Sequence, residues 1–105
     1  MIRVSFSERD GALCGFTMKG HAGAADCGHD IVCAAVSSAA YMAANTLTEI
    51  CRCGAVAEAE EGYMRVTVED TASAADILNG LRLHLDGLRE QYPDCIKITT
   101  DLLEV

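Results

Sequence analysis

Gly20-His21-Ala22-Gly23-Ala24-Ala25-Asp26-Cys27-Gly28-His29-Asp30-Ile31-Val32-Cys33-Ala34-Ala35-Val36-Ser37 is the stretch on which the fold turns. Before it, apolar and polar residues alternate, the period of a strand with one buried face. After it, alanines and larger apolar residues follow one another at helical spacing. The change of period marks a strand-to-helix junction. It holds three glycines, two histidines, two cysteines and two aspartates, more reactive chemistry than a connector requires.

Working outward, residues 2–6 set Ile2, Val4 and Phe6 against Arg3 and Ser5, a half-buried strand. Residues 7–11 form a turn, sharpest at Asp10-Gly11. Cys14, Phe16 and Met18 then alternate with Leu13, Gly15, Thr17 and Lys19, so the two strands form a hairpin. Beyond the junction a helix is predicted from about Ile31 to Glu49 or Cys51, with Asp30 as N-cap and Gly54 as stop signal. Its apolar residues cover two adjoining faces. One runs through Ile31, Ala35, Met42 and Thr46, the other through Val32, Val36, Ala43, Leu47 and Ile50, which predicts burial on more than one side.

Residues 55–60 read as strand or loop. Glu60-Glu61-Gly62 is a turn, and Met64, Val66 and Val68 mark a strand over 62–69. A second helix is predicted to start near Ser73, where Ser73-Ala74-Ala75-Asp76 approximates a capping box. Ile77, Leu78, Leu81, Leu85, Leu88 and Tyr92 form its stripe, and Pro93 closes it. Residues 95–100 make a last strand, and 101–105 a tail that packs or pairs. The expected fold is α+β: one domain over 1–105, a single mostly antiparallel sheet with two helices, in the order ββ-α-(β)β-α-β.

Sixteen acidic residues against eight Lys and Arg give a net charge of −8. That balance favours a basic partner, and with no basic patch in the sequence, direct nucleic-acid binding is not expected. No N-terminal signal and no segment of membrane-spanning length is read, so a cytoplasmic protein without membrane contact is expected. The six cysteines, at 14, 27, 33, 51, 53 and 95, form no C-x-x-C pair. Cys14 and Cys95 lie in apolar runs and read as small hydrophobes. Cys51-Arg52-Cys53 is a lone C-x-C.

With Asp30 as N-cap, Cys33 falls in the first helical turn. A thiolate there faces the positive helix end and its unpaired amides, which stabilise the charged form. His21, across the glycine loop, is placed to take the thiol proton and return it to a leaving amine. Gly20, Gly23 and Gly28 allow tight turns or a close approach of backbone to substrate, and amides at the helix start can hold an oxyanion. Ser37 lies one turn after Cys33 on the same face. Each residue has a plainer reading: Cys33 a small apolar residue, His21 and His29 solvated loop histidines, Asp30 a cap only, Ser37 a small helix residue. Zinc is the competing chemistry, with His21, Cys27, His29 and Cys33 as four compatible ligands, but their spacing matches no standard zinc motif. No metal and no cofactor are expected.

Gly20-His21-Ala22-Gly23, followed by Gly28-His29-Asp30-Ile31-Val32-Cys33-Ala34-Ala35-Val36-Ser37, resembles the signature of the ribosomal-processing cysteine protease family Prp. Length, element order and the Leu-rich second helix extend the resemblance over nearly the whole chain. It implies a small cytoplasmic homodimer that removes the N-terminal extension of bacterial ribosomal protein L27. It implies Cys33 as nucleophile and His21 as general base. Asp30 and Ser37 become polar residues near the site, and Gly20, Gly23 and Gly28 the glycines of a substrate loop. Where relatives often carry aromatic residues after Gly-His-Ala-Gly, this chain has Ala24 and Cys27. Two other classes compete: a noncatalytic ribosome-assembly or L27-binding protein, and a small zinc module.

Overall fold

The computed structural model describes residues 1–20 and 29–103. Five strands and two helices follow in the expected order: β1 (Ile2–Arg9), β2 (Ala12–Lys19), α1 (His29–Glu49), β3 (Val56–Glu60), β4 (Tyr63–Thr67), α2 (Thr71–Gln91) and β5 (Ile96–Leu102). They form one sheet in the order β3-β4-β2-β1-β5. Every pairing is antiparallel except β1 with β5, where the first and last strands run parallel. The stretch at 55–60, open between strand and loop in the sequence, is an edge strand. Residues 101–102 of the expected tail extend β5.

The β1–β2 turn is as tight as its sequence allows. Asp10 and Gly11 both take positive φ, 53° and 81°, the backbone of a two-residue hairpin turn whose twist matches the strands. Both helices cover one face of the sheet. Ile2, Val4, Phe6, Phe16, Met18, Met64 and Val66 project from that face to meet Val32, Val36, Ala40, Ala43 and Leu47 of α1 and Ala74, Leu78, Leu81 and Leu85 of α2. Phe6 and Phe16 touch at the centre, 6.2 Å between ring centroids, and the Arg82 guanidinium lies 5.5 Å from the Phe6 ring. Cys14 and Cys95 are buried among these residues as small hydrophobes. Among the described residues no helix covers the other sheet face.

Four expectations are corrected. Helix α1 starts at His29, so Asp30 is its second residue and Cys33 its fifth, two residues further in than a capping Asp30 implies. Second, α1 is buried on one side only. Ile31 and Met42 are 73% and 59% exposed because the face they share turns away from the sheet, with Met42 on the rim of a shallow groove beside Ile77, Gly80 and His84 of α2. Third, Ile31–Glu49 is long and apolar enough, at a mean hydropathy of 1.3, to meet the length and composition of a membrane span. Its other side carries core residues, and a core helix passes the same test.

The fourth concerns α2, whose N-cap is Asp70 rather than Ser73. The Asp70 carboxylate accepts from the Ser73 amide at 3.2 Å and from Ser73 Oγ at 2.7 Å. The serine read as a cap is the capped residue. These bonds from Ser73 hold the Asp70 carboxyl below the usual carboxylate range. A carboxylate depressed in the folded state stabilises the fold above its unfolded value of about 3.9, and that contribution is lost as pH falls through the lower folded value. Asp70→Asn keeps a capping oxygen but cannot titrate. Its melting temperature is therefore expected to fall less than wild type between pH 5 and pH 2, checked by thermal denaturation in matched buffers.

Candidate active site

Cys33 is half-buried on α1, and Ser37 and Tyr41 follow it at successive turns of the same face. These three line a cleft of about 140 Å³ whose opposite wall is Met18 and Gly20 at the end of β2, with Glu60, Glu61, Gly62, Tyr63 and Met64 of the β3–β4 hairpin. In a helix the Cα–Cβ bonds tilt toward the N-terminus, so that of Cys33 leans toward the first turn, where the unpaired amides lie. Larger depressions, of about 340 and 320 Å³, lie on the uncovered sheet face away from Cys33. Size alone does not locate this site.

The wall at Gly20 is fixed by backbone. Gly20 has φ +96°, and its amide donates to the Gly62 carbonyl at 3.0 Å. A Cβ there would lie 2.5 Å from the Met1 carbonyl oxygen. Glycine is thus required by conformation and by space at the point where the chain leaves β2 for the loop. Of the expected site residues, Gly20, Cys33 and Ser37 line one cleft. His21, Gly23, Gly28 and the zinc candidate Cys27 lie outside the described residues, and Asp30 is placed only by its helical backbone. Among the described residues no group of His, Cys, Asp and Glu could hold a metal ion. Tyr41 and Tyr63 were missed as site residues. The spacing from Cys33 through Ser37 signals Tyr41; nothing local signals Tyr63, which arrives through the β2–β4 pairing with Lys19.

The model of the cysteine protease Prp family matches residues 1–97. The chain belongs to that family. Among solved structures, the Prp chain is similar to an essential ribosomal processing protease Prp from Staphylococcus aureus, captured with a covalently linked product peptide. Identity is 26%, coverage 96% of this chain and 100% of that one, and the TM-score 0.84. It is likewise similar to SMU.848 from Streptococcus mutans, at 28% identity, with 98% and 96% of the two chains covered and a TM-score of 0.84. The S. aureus protease in complex with a substrate peptide shares the fold at 24% identity, coverage of 96% and 100%, and a TM-score of 0.86. No curated protein matches the chain.

The buried cysteines contrast with Cys33 and with the half-buried Cys51. Cys14, Cys53 and Cys95 are 3%, 1% and 5% exposed. Cys53 Sγ donates to the Leu47 carbonyl at 3.4 Å, and burial, then the neighbouring Cys51, push its thiol up. As only the thiolate alkylates, brief native treatment with iodoacetamide should label Cys33 at least about tenfold faster than Cys53. Peptide mass mapping reads the ratio, and equal labelling would remove Cys33 from the accessible site.

Proposed function

We propose that this Prp-family protease removes the N-terminal extension of bacterial ribosomal protein L27, with Cys33 as nucleophile and His21 as general base. The observation that carries the reading is that Cys33 lines a cleft whose facing wall includes Gly20, the residue that precedes His21 in the sequence. His21 takes the Cys33 proton, and the thiolate attacks the scissile carbonyl carbon. The oxyanion is held by amides at the start of α1. Collapse expels the new N-terminus, protonated by His21, and leaves a thioester that water hydrolyses with His21 again as base. Ser37 and Tyr41 offer hydroxyls to the bound peptide. In this reading Asp30 is a polar residue supporting the pair, and Gly23 and Gly28 are glycines of the substrate loop.

The acidic balance of the chain favours a basic ribosomal protein as substrate, and the cytoplasm, where that protein is made, as the working compartment. The exposed face of α1 carrying Ile31 and Met42 supports a homodimer. Incubation with extended L27, followed by intact-mass spectrometry, tests the activity. Wild type is expected to yield one shortened L27 and His21→Ala to yield little. An unprocessed L27 that still binds tightly would favour the noncatalytic reading instead.

A further inference from the structure

The uncovered face of the sheet gathers cations that the sequence scatters. Strand register sets Lys19 of β2 directly opposite Arg3 of β1, and Arg3 directly opposite Lys97 of β5. Three exposed cations therefore stand abreast on neighbouring strands, about 5 Å from one strand to the next. Tyr63 continues the line beyond Lys19 on β4. The adjacent rank holds Arg65, Thr17, Ser5 and Thr99, so four of the chain's eight Lys and Arg lie on this face of a protein with net charge −8. Among the described residues none of the three aligned cations has an ion pair.

Like charges directly opposite one another destabilise a sheet, so the described fold gains nothing from the row. Across β3, Glu58 faces Arg65 and Glu60 stands beyond Tyr63, so an anion from outside is matched only at the Lys19–Arg3–Lys97 end. The cations border a shallow depression of about 340 Å³. At its other end Asp101 accepts from Ser5 Oγ at 2.7 Å, and Thr99 Oγ1 donates to Ser5 Oγ at 3.3 Å. That carboxylate directs an anion toward the Lys19–Arg3–Lys97 end.

We propose that this row binds the phosphodiester backbone of a single-stranded nucleic acid, with Tyr63 as a stacking surface for a base. Backbone donors and acceptors of the inner strands are consumed in the ladders, so an acidic peptide laid across the face could be held only through side chains in one particular sequence. A phosphodiester strand carries a charge at every unit and needs none. The face is open and shallow, which suits a single strand. Net charge hides this site, because only the register aligns the three cations, with Glu58, Glu60 and Asp101 at the margins of the face.

Fluorescence anisotropy with a labelled twelve-nucleotide oligouridylate tests the proposal. Three phosphate contacts give a salt slope of about −2, so affinity should fall about 18-fold from 50 to 200 mM salt. In Arg3→Gln/Lys97→Gln one contact remains and the same change should cost only about threefold, from a weaker starting affinity. The double variant should melt no lower than wild type, since it removes a like-charge contact, so lost binding will not reflect unfolding. Absence of binding at 50 mM salt, or identical binding by the variant, overturns the proposal. So does displacement by polyglutamate of equal length at equal concentration. A dimer-to-monomer shift in sedimentation, seen in the variant without nucleic acid, would assign the face to a second copy instead.

Discussion

Cys33→Ala should cut L27 processing by about four to six orders of magnitude, because no other described thiol lines the cleft and the covalent step has no substitute. The loss should appear in kcat. Peptide binding draws on the cleft walls, Met18, Gly20 and the Glu60–Met64 hairpin, which the substitution leaves in place, so substrate affinity should be nearly unchanged. Cys33 is half-buried on a helix and alanine is the better helix former, so the melting temperature should hold. Single-turnover mass spectrometry separates the two effects. The wild-type protein should pass through an acyl adduct on Cys33 that the variant never forms. Residual cleavage within tenfold of wild type would place the nucleophile elsewhere.

The second large effect is on stability, at Gly15→Ala. Gly15 lies in β2 opposite Thr67 of β4. A Cβ there would collide with the Val66 carbonyl oxygen and reach 3.2 Å from the Thr67 Cα. Both are backbone atoms of a neighbouring strand, held by the β2–β4 register, so neither can swing aside as a side chain tip can. Relief requires spreading the centre of a five-stranded sheet. A cost of about 3 kcal/mol is expected, a drop in melting temperature of roughly 15 °C for a domain of this size. Gly80→Ala is the control. Gly80 is within α2, nothing lies within 4 Å of its Cβ direction, and the same change should stabilise by about 0.5–1 kcal/mol. Thermal melts of the two variants beside wild type check both signs. A Gly15→Ala protein as stable as wild type would contradict the close strand approach.

The two glycines show what a sequence can and cannot convey. Elements announce themselves through period: Ile2, Val4 and Phe6 alternate, Leu78, Leu81 and Leu85 recur at helical spacing, and both groups are buried as their patterns predict. Gly15 looks like an ordinary break in a strand, because what forbids its side chain is a carbonyl fifty residues further along. Cap assignment at α2 failed for a similar reason. Asp70 and Ser73 are both capping residues by type, and only the hydrogen bond between them says which caps which.

At the site, the link from Cys33 to Ser37 was legible because helix geometry is local. Its extension to Tyr41 follows the same rule. The facing wall was not legible, since it depends on which strand adjoins β2. The apolar face of α1 through Ile31 and Met42 was visible as apolar but not as exposed. Periodicity reports that a face is hydrophobic and leaves open what covers it. Charge behaved likewise: the total of −8 was plain, while the Lys19–Arg3–Lys97 row exists only once strands from both ends of the chain lie side by side.

That adjacency also dictates the order of events when the protein is made. Ile2 pairs with Ile96 and Glu8 with Leu102, so the strand synthesised first has one partner that is synthesised last. The β1–β2 hairpin can form early, but one edge of β1, lined with unsatisfied backbone groups, must wait for nearly the whole chain. A nascent chain halted before Ile96 presents that bare edge, with Ile2, Val4 and Phe6 still lacking part of their cover, as a template for stray strand pairing. Parallel closure by β5 therefore acts as a completion mark: the sheet is protected only once translation has passed Leu102.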